Sequence, residues 1–144
     1  LMIISPDEGA MHRAVYFSNV TGVDMGMFYK RRDYSTIVNG KNPIVAHEFL
    51  GSDLRGKKVI IVDDMICSGT TMLDVAKYCK KQGANRVFAI ATFALFTEGI
   101  QQFDEAYKKN ALEAVFITNA SYRRDEIRNA PWYREVDITK YIAI

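Results

Sequence analysis

The chain has 144 residues, of which 49% are hydrophobic and 25% are charged, as in an ordinary globular protein. This length supports one well-buried domain, so we expect a single domain over residues 1–144. A formal net charge of +2 gives no reason to expect nucleic acid as a partner, and no apolar run is long enough to span a membrane. Because two cysteines cannot build a disulfide framework, we expect a reduced, cytoplasmic protein.

The first third of the chain predicts one helix and two strands. The sequence "SPDE", which starts at Ser5, is a capping-box pattern with Pro at the first helical position, and it predicts a helix ending near Gly22. The segment "MGMFYK" (25–30) then predicts a strand. The turn-rich "NGKNP" precedes "PIVAHEF", so a weaker strand is expected there, within a small edge ribbon near 37–50.

The rest of the chain alternates strands with helices. The aliphatic run "KKVIIV" is typical of a parallel strand that is buried on both faces. A helical stripe of Met72, Val75, Ala76 and Cys79 follows it, and Gly83 predicts the end of this helix. "RVFAIATFALF", "IQQFDEAYKK", "AVFIT" and "REVDI" continue the order strand, helix, strand, strand. The pattern predicts an α/β fold with a mainly parallel central sheet flanked by helices, whose ligands bind at the carboxyl ends of the strands.

Residues 59–71, "VIIVDDMICSGTT", carry the strongest chemical signal. The loop "SGTT" opens a helix, where unpaired backbone N–H groups, hydroxyls and a glycine suit a phosphate. Asp63 and Asp64 precede this loop, and carboxylates suit sugar hydroxyls or a hard cation such as Mg²⁺. The alternative interpretation is that both carboxylates are solvated in a loop and that Ser68 only caps the helix. No Walker A pattern is present.

Two further segments are candidates because of their place at the same predicted edge. Helix capping explains "SPDE" without any ligand, with Asp7 placed by the helix dipole, but this turn also lies between a strand and a helix. "YKRRDYS" has the composition of a solvated basic surface. Its position after a strand would alternatively let Lys30 and Arg32 reach a phosphate-rich site and stabilise developing negative charge. Trp132 and residues 121–128 are expected on exposed loop and helix surface.

The strand, the Asp pair and the loop together resemble the phosphoribosyl-diphosphate motif of type I phosphoribosyltransferases. "SPDEGA", "YKRR" and the pair "VFAIATFALF" and "AVFITNA" are similar to segments of the ribose-phosphate pyrophosphokinases, in the same order. The resemblance spans nearly the whole chain and matches the C-terminal domain of a protein about twice this length. Four residues depart from the usual family pattern: Cys67 replaces an Asp, Thr70 a Gly, Phe93 a His, and Ala10 the second Gly of a Gly-Gly pair.

The resemblance implies a phosphoribosyltransferase-like fold and a role for each motif. Asp63 and Asp64 would hold ribose hydroxyls and Mg²⁺, and Asp7 would help to bind Mg²⁺ with the triphosphate. Lys30 and Arg32 would be the catalytic pair that stabilises the transferring group. The 5-phosphate of ribose 5-phosphate would be bound by Cys67, Ser68, Gly69, Thr70 and Thr71.

The implied reaction is transfer of diphosphate from ATP to ribose 5-phosphate, and the full-length protein is expected to be a homo-oligomer. The first residue is not Met and the last residues read as an early helical turn, so we expect a piece of a longer protein. Without the family's ATP-binding N-terminal half, this chain is expected to lack kinase activity. Two alternatives remain: a phosphoribosyltransferase that attaches a base, and a regulatory subunit that binds ligand without turnover.

Overall fold

A computed structural model describes residues 1–32, 35–38 and 44–142, with the side chains at 30–32 and 44–46 outside that description. Strands and helices alternate through most of the described residues. The strands are β1 (Met2–Ser5), β2 (Asp24–Arg32), β3 (Ile44–Leu50), β4 (Lys58–Ile66), β5 (Arg86–Ala94), β6 (Ala114–Thr118) and β7 (Tyr133–Val136). The helices are α1 (Met11–Thr21), α2 (Thr70–Lys81), α3 (Gln101–Lys108), α4 (Asp125–Arg128) and α5 (Thr139–Ile142).

Within the described residues, seven strands form one sheet in the order β3-β2-β1-β4-β5-β6-β7. Neighbouring strands are parallel from β2 to β7. Strand β3 instead pairs antiparallel with β2 at the edge of the sheet. The predicted α/β fold with a mainly parallel sheet is therefore confirmed. The edge strand expected near 37–50 is confirmed as β3, within the described residues of that segment.

The two faces of the sheet carry different helices. In β1, Met2 and Ile4 belong to the larger core cluster, which includes the buried stripe of α2. Ile3, between them, packs instead with Val62 and with Ala14 of α1. Because side chains alternate along a strand, α1 and α2 lie on opposite faces. This arrangement frames the carboxyl edge of the sheet with the starts of two helices.

Helix α2 matches its predicted pattern. Met72, Val75, Ala76 and Cys79 are all at most 3% exposed, so the stripe is the core-facing side of the helix. Gly83 follows the helix with a positive φ of 88°, a conformation that glycine adopts without the steric cost of a side chain. The predicted stop at Gly83 is confirmed.

The predicted start of the first helix was wrong, because α1 begins at Met11 rather than near Ser5. Ser5 is the last residue of β1, and it pairs with Met27 of the neighbouring strand. Its hydroxyl donates to the carbonyl oxygen of Asp7 at 2.6 Å, and Asp7 Oδ1 accepts the Ala10 N–H at 3.2 Å. The residues that resembled a helix cap therefore form a tight turn after a strand.

The expectation of an exposed Trp132 was also wrong. Its side chain is fully buried, with ring-centroid distances of 5.6 Å to Phe96 and 5.3 Å to Phe103. The indole Nε1–H donates to Asp104 Oδ1 at 2.7 Å, so the polar atom of the ring is satisfied. Residues 121–128 are only partly surface, since Ile127 of α4 is 2% exposed. No helix among the described residues combines the length and apolar character that a bilayer span needs.

Candidate functional site

A cleft of about 200 Å³ lies at the carboxyl ends of β1 and β4. The chain order reverses between these two strands: β1 leads to β2 on one side, and β4 leads to β5 on the other. Such a reversal leaves space between the loops that follow the two strands, which is where open α/β sheets bind ligands. Asp7, Asp63 and residues 65–72 line the cleft.

One end of the cleft is formed by the start of α2. Gly69 is the residue before the helix, and the Leu73 N–H donates to its carbonyl at 2.9 Å. The N–H groups that precede Leu73 in the first turn have no carbonyl acceptor within the helix. The Thr70 N–H lies 3.4 Å from Ser68 Oγ, which is itself 3.2 Å from Thr70 Oγ1. Backbone donors and hydroxyls thus converge at a helix N-terminus, an arrangement that suits a phosphate.

Contacts from the segment after β5 and from α3 fix the loop at this end. The carbonyls of Ile66 and Cys67 accept the N–H groups of Leu95 and Thr97 at 2.8 and 2.9 Å. Gly69 has a positive φ of 88°, and a β-carbon placed on it would overlap with the ring of Phe103. Position 69 therefore needs glycine for both conformation and space. The N-cap position is Gly69 rather than Ser68, although Ser68 Oγ accepts the Thr70 N–H at the start of the helix.

The other end of the cleft carries the carboxylates. The side chain of Asp63 is 22% exposed and that of Asp64 is 62% exposed. Asp63 Oδ1 accepts the Asp64 N–H at 2.8 Å. Burial raises the pKa of Asp63 to about 6, and the nearby carboxylates of Asp64 and Asp7 add to this rise. This end of the cleft therefore favours a proton or a cation beside Asp63.

Arg13 is a residue of this site that sequence reasoning missed. It lies in the first turn of α1 and places Nη1 at 3.9 Å from Asp63 Oδ1 and Nη2 at 3.4 Å from Asp64 Oδ2. Its side chain is 32% exposed. The sequence did contain a signal, an Arg close behind the "SPDEGA" turn, but the helix was predicted to start too early to place it.

The structure brings most of the predicted site residues together. Asp7 and Asp63 line one cleft with the loop residues Cys67, Ser68, Gly69, Thr70 and Thr71. Asp64 lies beside Asp63 but is more exposed, with its carboxylate directed to Arg13. Lys30 and Arg32 lie near the carboxyl end of β2, the neighbour of β1, and their side chains fall outside the described part of the chain.

Comparison with known proteins gives a consistent set of similarities. The family model described as "Phosphoribosyl transferase domain" matches residues 1–126. Ribose-phosphate pyrophosphokinase of Ureaplasma parvum serovar 3 is 35% identical over 133 residues, which cover 92% of this chain and 36% of that protein. The Thermococcus kodakarensis enzyme of the same name is 37% identical over 121 residues, or 83% of this chain and 41% of the enzyme.

A crystal structure of phosphoribosylpyrophosphate synthetase from Mycobacterium smegmatis has the same fold. It superposes with a TM-score of 0.80 at 23% sequence identity, covering 99% of this chain and 42% of that chain. The 144-residue chain thus spans less than half the length of these longer proteins.

Proposed function

Because the chain belongs to the family of phosphoribosyl transferase domains, we propose that its cleft binds ribose 5-phosphate. The observation that carries this proposal is the pairing of two chemically different ends in one cleft. A helix N-terminus with hydroxyls lies at one end, and carboxylates, including the partly buried Asp63, lie at the other. A phosphorylated sugar has the complementary pair of groups, an anionic phosphate and a row of hydroxyl donors.

The 5-phosphate is assigned to the loop at residues 67–71. Backbone N–H groups of the first turn of α2 donate to its oxygens, with the hydroxyls of Ser68, Thr70 and Thr71 as further donors. Cys67 contributes its backbone and an exposed thiol at the rim. The ribose hydroxyls donate to the carboxylates of Asp63 and Asp64, as charge-assisted hydrogen bonds.

Magnesium fits the carboxylate end as an ion that binds together with substrate. Within the described part of the chain, no cluster of three or more His, Cys, Asp or Glu side chains is arranged to hold a metal. Mg²⁺ rarely uses such cages and is usually bound by one or two carboxylates with substrate phosphates and water. Asp7 and Asp63 line the cleft and can supply these oxygens. When bound, the ion would neutralise charge on the phosphates.

In the longer protein, we propose transfer of diphosphate from ATP to ribose 5-phosphate. The hydroxyl oxygen on C1 of the ribose attacks the β-phosphorus of ATP, the bond from the β-phosphorus to the α–β bridging oxygen breaks, and AMP leaves. The hydroxyl proton passes to solvent. Lys30 and Arg32, at the end of the strand beside β1, are the proposed catalytic pair that stabilises charge on the transferring group. The names of the similar enzymes support this choice over other family reactions.

A binding experiment on the 144-residue chain tests the proposed ligand. Titration calorimetry with ribose 5-phosphate, ribose and inorganic phosphate should show the tightest binding for ribose 5-phosphate, since only it reaches both ends of the cleft. Asp63→Asn should weaken ribose 5-phosphate binding more than phosphate binding. Equal affinity for ribose 5-phosphate and inorganic phosphate would contradict the proposal.

The proposed reaction needs the longer protein. Lys30→Ala and Arg32→Ala should each abolish AMP release from ATP there, whereas the 144-residue chain alone should release almost none. Full activity of both variants would refute the catalytic assignment, and an inactive parent that still binds ligand would favour the regulatory subunit.

Consumption of phosphoribosyl diphosphate with a purine or pyrimidine base would favour a phosphoribosyltransferase. We also expect a homo-oligomer, which light scattering on the full-length protein would measure.

A further inference from the structure

Arg13 contacts Asp63, which lines the cleft, and the adjacent Asp64, yet the proposed function gives it no substrate contact. We infer that Arg13 is a positioning residue, which holds Asp63 and Asp64 in the orientation that receives the ribose hydroxyls. This inference rests on the proposed binding of ribose 5-phosphate. It predicts that a side chain on α1 determines how well the cleft distinguishes a phosphorylated sugar from a bare phosphate.

The geometry shows one guanidinium shared between two carboxylates. Nη1 lies 3.9 Å from Asp63 Oδ1 and Nη2 lies 3.4 Å from Asp64 Oδ2. Both separations exceed the usual length of an N–H···O hydrogen bond, so the contacts are ion pairs that leave carboxylate lone pairs available. Among the described side chains, Arg13 is the ion-pair partner of both Asp63 and Asp64.

The carboxylates need such a cation because they are adjacent and that of Asp63 is partly buried. Asp63, Asp64 and the nearby Asp7 carry like charges, which repel one another more strongly away from bulk water. Without Arg13, the more exposed Asp64 side chain is free to turn towards solvent, away from its neighbour. A guanidinium stays charged at every physiological pH and presents several N–H groups in one plane, so it can face two carboxylates at once.

The effect of Arg13 should be confined to one end of the cleft. Its helix follows the turn that contains Asp7, which puts it at the carboxylate end. The phosphate end is built from the start of α2 and is fixed by backbone contacts from residues 95 and 97. Ser68 and Thr70 hydrogen-bond to each other, and among the described residues no hydrogen bond joins either of them to Arg13.

The test compares two ligands on the 144-residue chain by amide chemical-shift titration. Arg13→Gln should weaken ribose 5-phosphate binding by about tenfold or more, the size of one lost charge-assisted hydrogen bond, and should leave inorganic phosphate binding unchanged. Arg13→Lys should recover part of the loss, because an ammonium keeps the positive charge but lacks the broad planar fork of a guanidinium. Arg55→Gln is the matched control, since Arg55 is 80% exposed and pairs with Asp53 outside the cleft.

Each outcome decides between distinct conclusions. Unchanged ribose 5-phosphate binding in Arg13→Gln overturns the positioning role, and an equal loss of both ligands overturns its confinement to the carboxylate end. Thermal unfolding shows whether Arg13→Gln is folded; if it is not, full ribose 5-phosphate affinity in a folded Arg13→Lys overturns the shared ion pair. Failure of the unaltered chain to bind ribose 5-phosphate refutes the proposed function, and the inference with it.

Discussion

The ring of Phe103 lies where a β-carbon on Gly69 would have to be, so helix α3 packs directly against the backbone of the phosphate loop. The φ of Gly69 is +88°, which adds a second reason for glycine at this position. Because the loop is fixed before any ligand arrives, little ordering is needed when a phosphate binds.

Gly69→Ala should destabilise the protein and weaken phosphate binding. The positive φ and the overlap with Phe103 together should lower the free energy of unfolding by about 2 to 4 kcal/mol. Gly22→Ala is the control, since Gly22 also has a positive φ but has nothing within 4 Å of an added β-carbon. It should cost about 1 to 2 kcal/mol. Urea unfolding measures the loss of unfolding free energy in both variants. Equal losses for Gly69→Ala and Gly22→Ala would show that the Phe103 ring moves aside freely.

Asp63→Asn should stabilise the ligand-free protein at neutral pH. The folded-state pKa of Asp63 is raised from 3.8 to about 6, chiefly by burial, so folding favours the protonated carboxyl. That stabilisation is fully present below about pH 4 and is lost as the pH rises through 6. At pH 7 the variant should therefore gain about 1 to 3 kcal/mol in unfolding free energy while losing affinity for ribose 5-phosphate.

Urea unfolding between pH 4 and pH 8 tests this linkage. The advantage of Asp63→Asn over the parent should grow as the pH rises towards 7. Parallel stability profiles for the two proteins would mean that Asp63 has an ordinary pKa in the folded state.

The two cysteines should react very differently with a thiol reagent at pH 8. Cys67 is exposed at the cleft, whereas Cys79 is buried in α2 and burial raises its pKa to about 12. Because the thiolate is the reactive form, the folded protein should be modified at Cys67 alone, and Cys79 should react only after unfolding in urea. Mass spectrometry identifies the modified residue. Ribose 5-phosphate should slow the reaction of Cys67. The control is the Cys67→Ser variant, which should not react with the reagent while it is folded.

Trp132→Phe should cost about 1 to 2 kcal/mol of unfolding free energy. The substitution keeps an aromatic ring between Phe96 and Phe103 but removes the hydrogen bond from Nε1 to Asp104. Trp132→Ala should cost about 3 to 5 kcal/mol, because it also leaves a cavity. If Trp132→Phe were as damaging as Trp132→Ala, then the ring size rather than the hydrogen bond would determine stability at this position.

The sequence predicted well those elements whose signal is local. The aliphatic run before Asp63 and the stripe from Met72 to Cys79 are periodic patterns with one consistent structural meaning, and both were confirmed. The start of α1 was mispredicted because "SPDE" satisfies a local capping pattern, while Ser5 is held in the sheet by a strand more than twenty residues away. Pairing with a distant strand prevailed over a local preference.

The same reason explains what was missed at the site. Trp132 looked exposed in a polar stretch, but its partners Phe96, Phe103 and Asp104 are about thirty residues earlier in the chain. Arg13 reaches carboxylates on β4, fifty residues later. The motif at 59–71 was recognisable because strand, carboxylates and loop are contiguous. Contacts between distant segments leave no such pattern in a single sequence.

The short pairing between β1 and β4 should become more stable when a ligand binds in the cleft. These strands are joined through three paired positions, from Met2 with Val59 to Ile4 with Ile61, and α1 packs across them. The cleft lies at the carboxyl end of this strand pair, with the turn at Asp7 on the β1 side and the loop before α2 on the β4 side. In the proposed complex the sugar phosphate contacts residues 63–71 on the β4 side, and Mg²⁺ bound with it at Asp7 and Asp63 would link the two sides of the cleft. Ligand binding should therefore slow amide hydrogen exchange at the paired positions of β1 and β4, which the ligand itself does not contact.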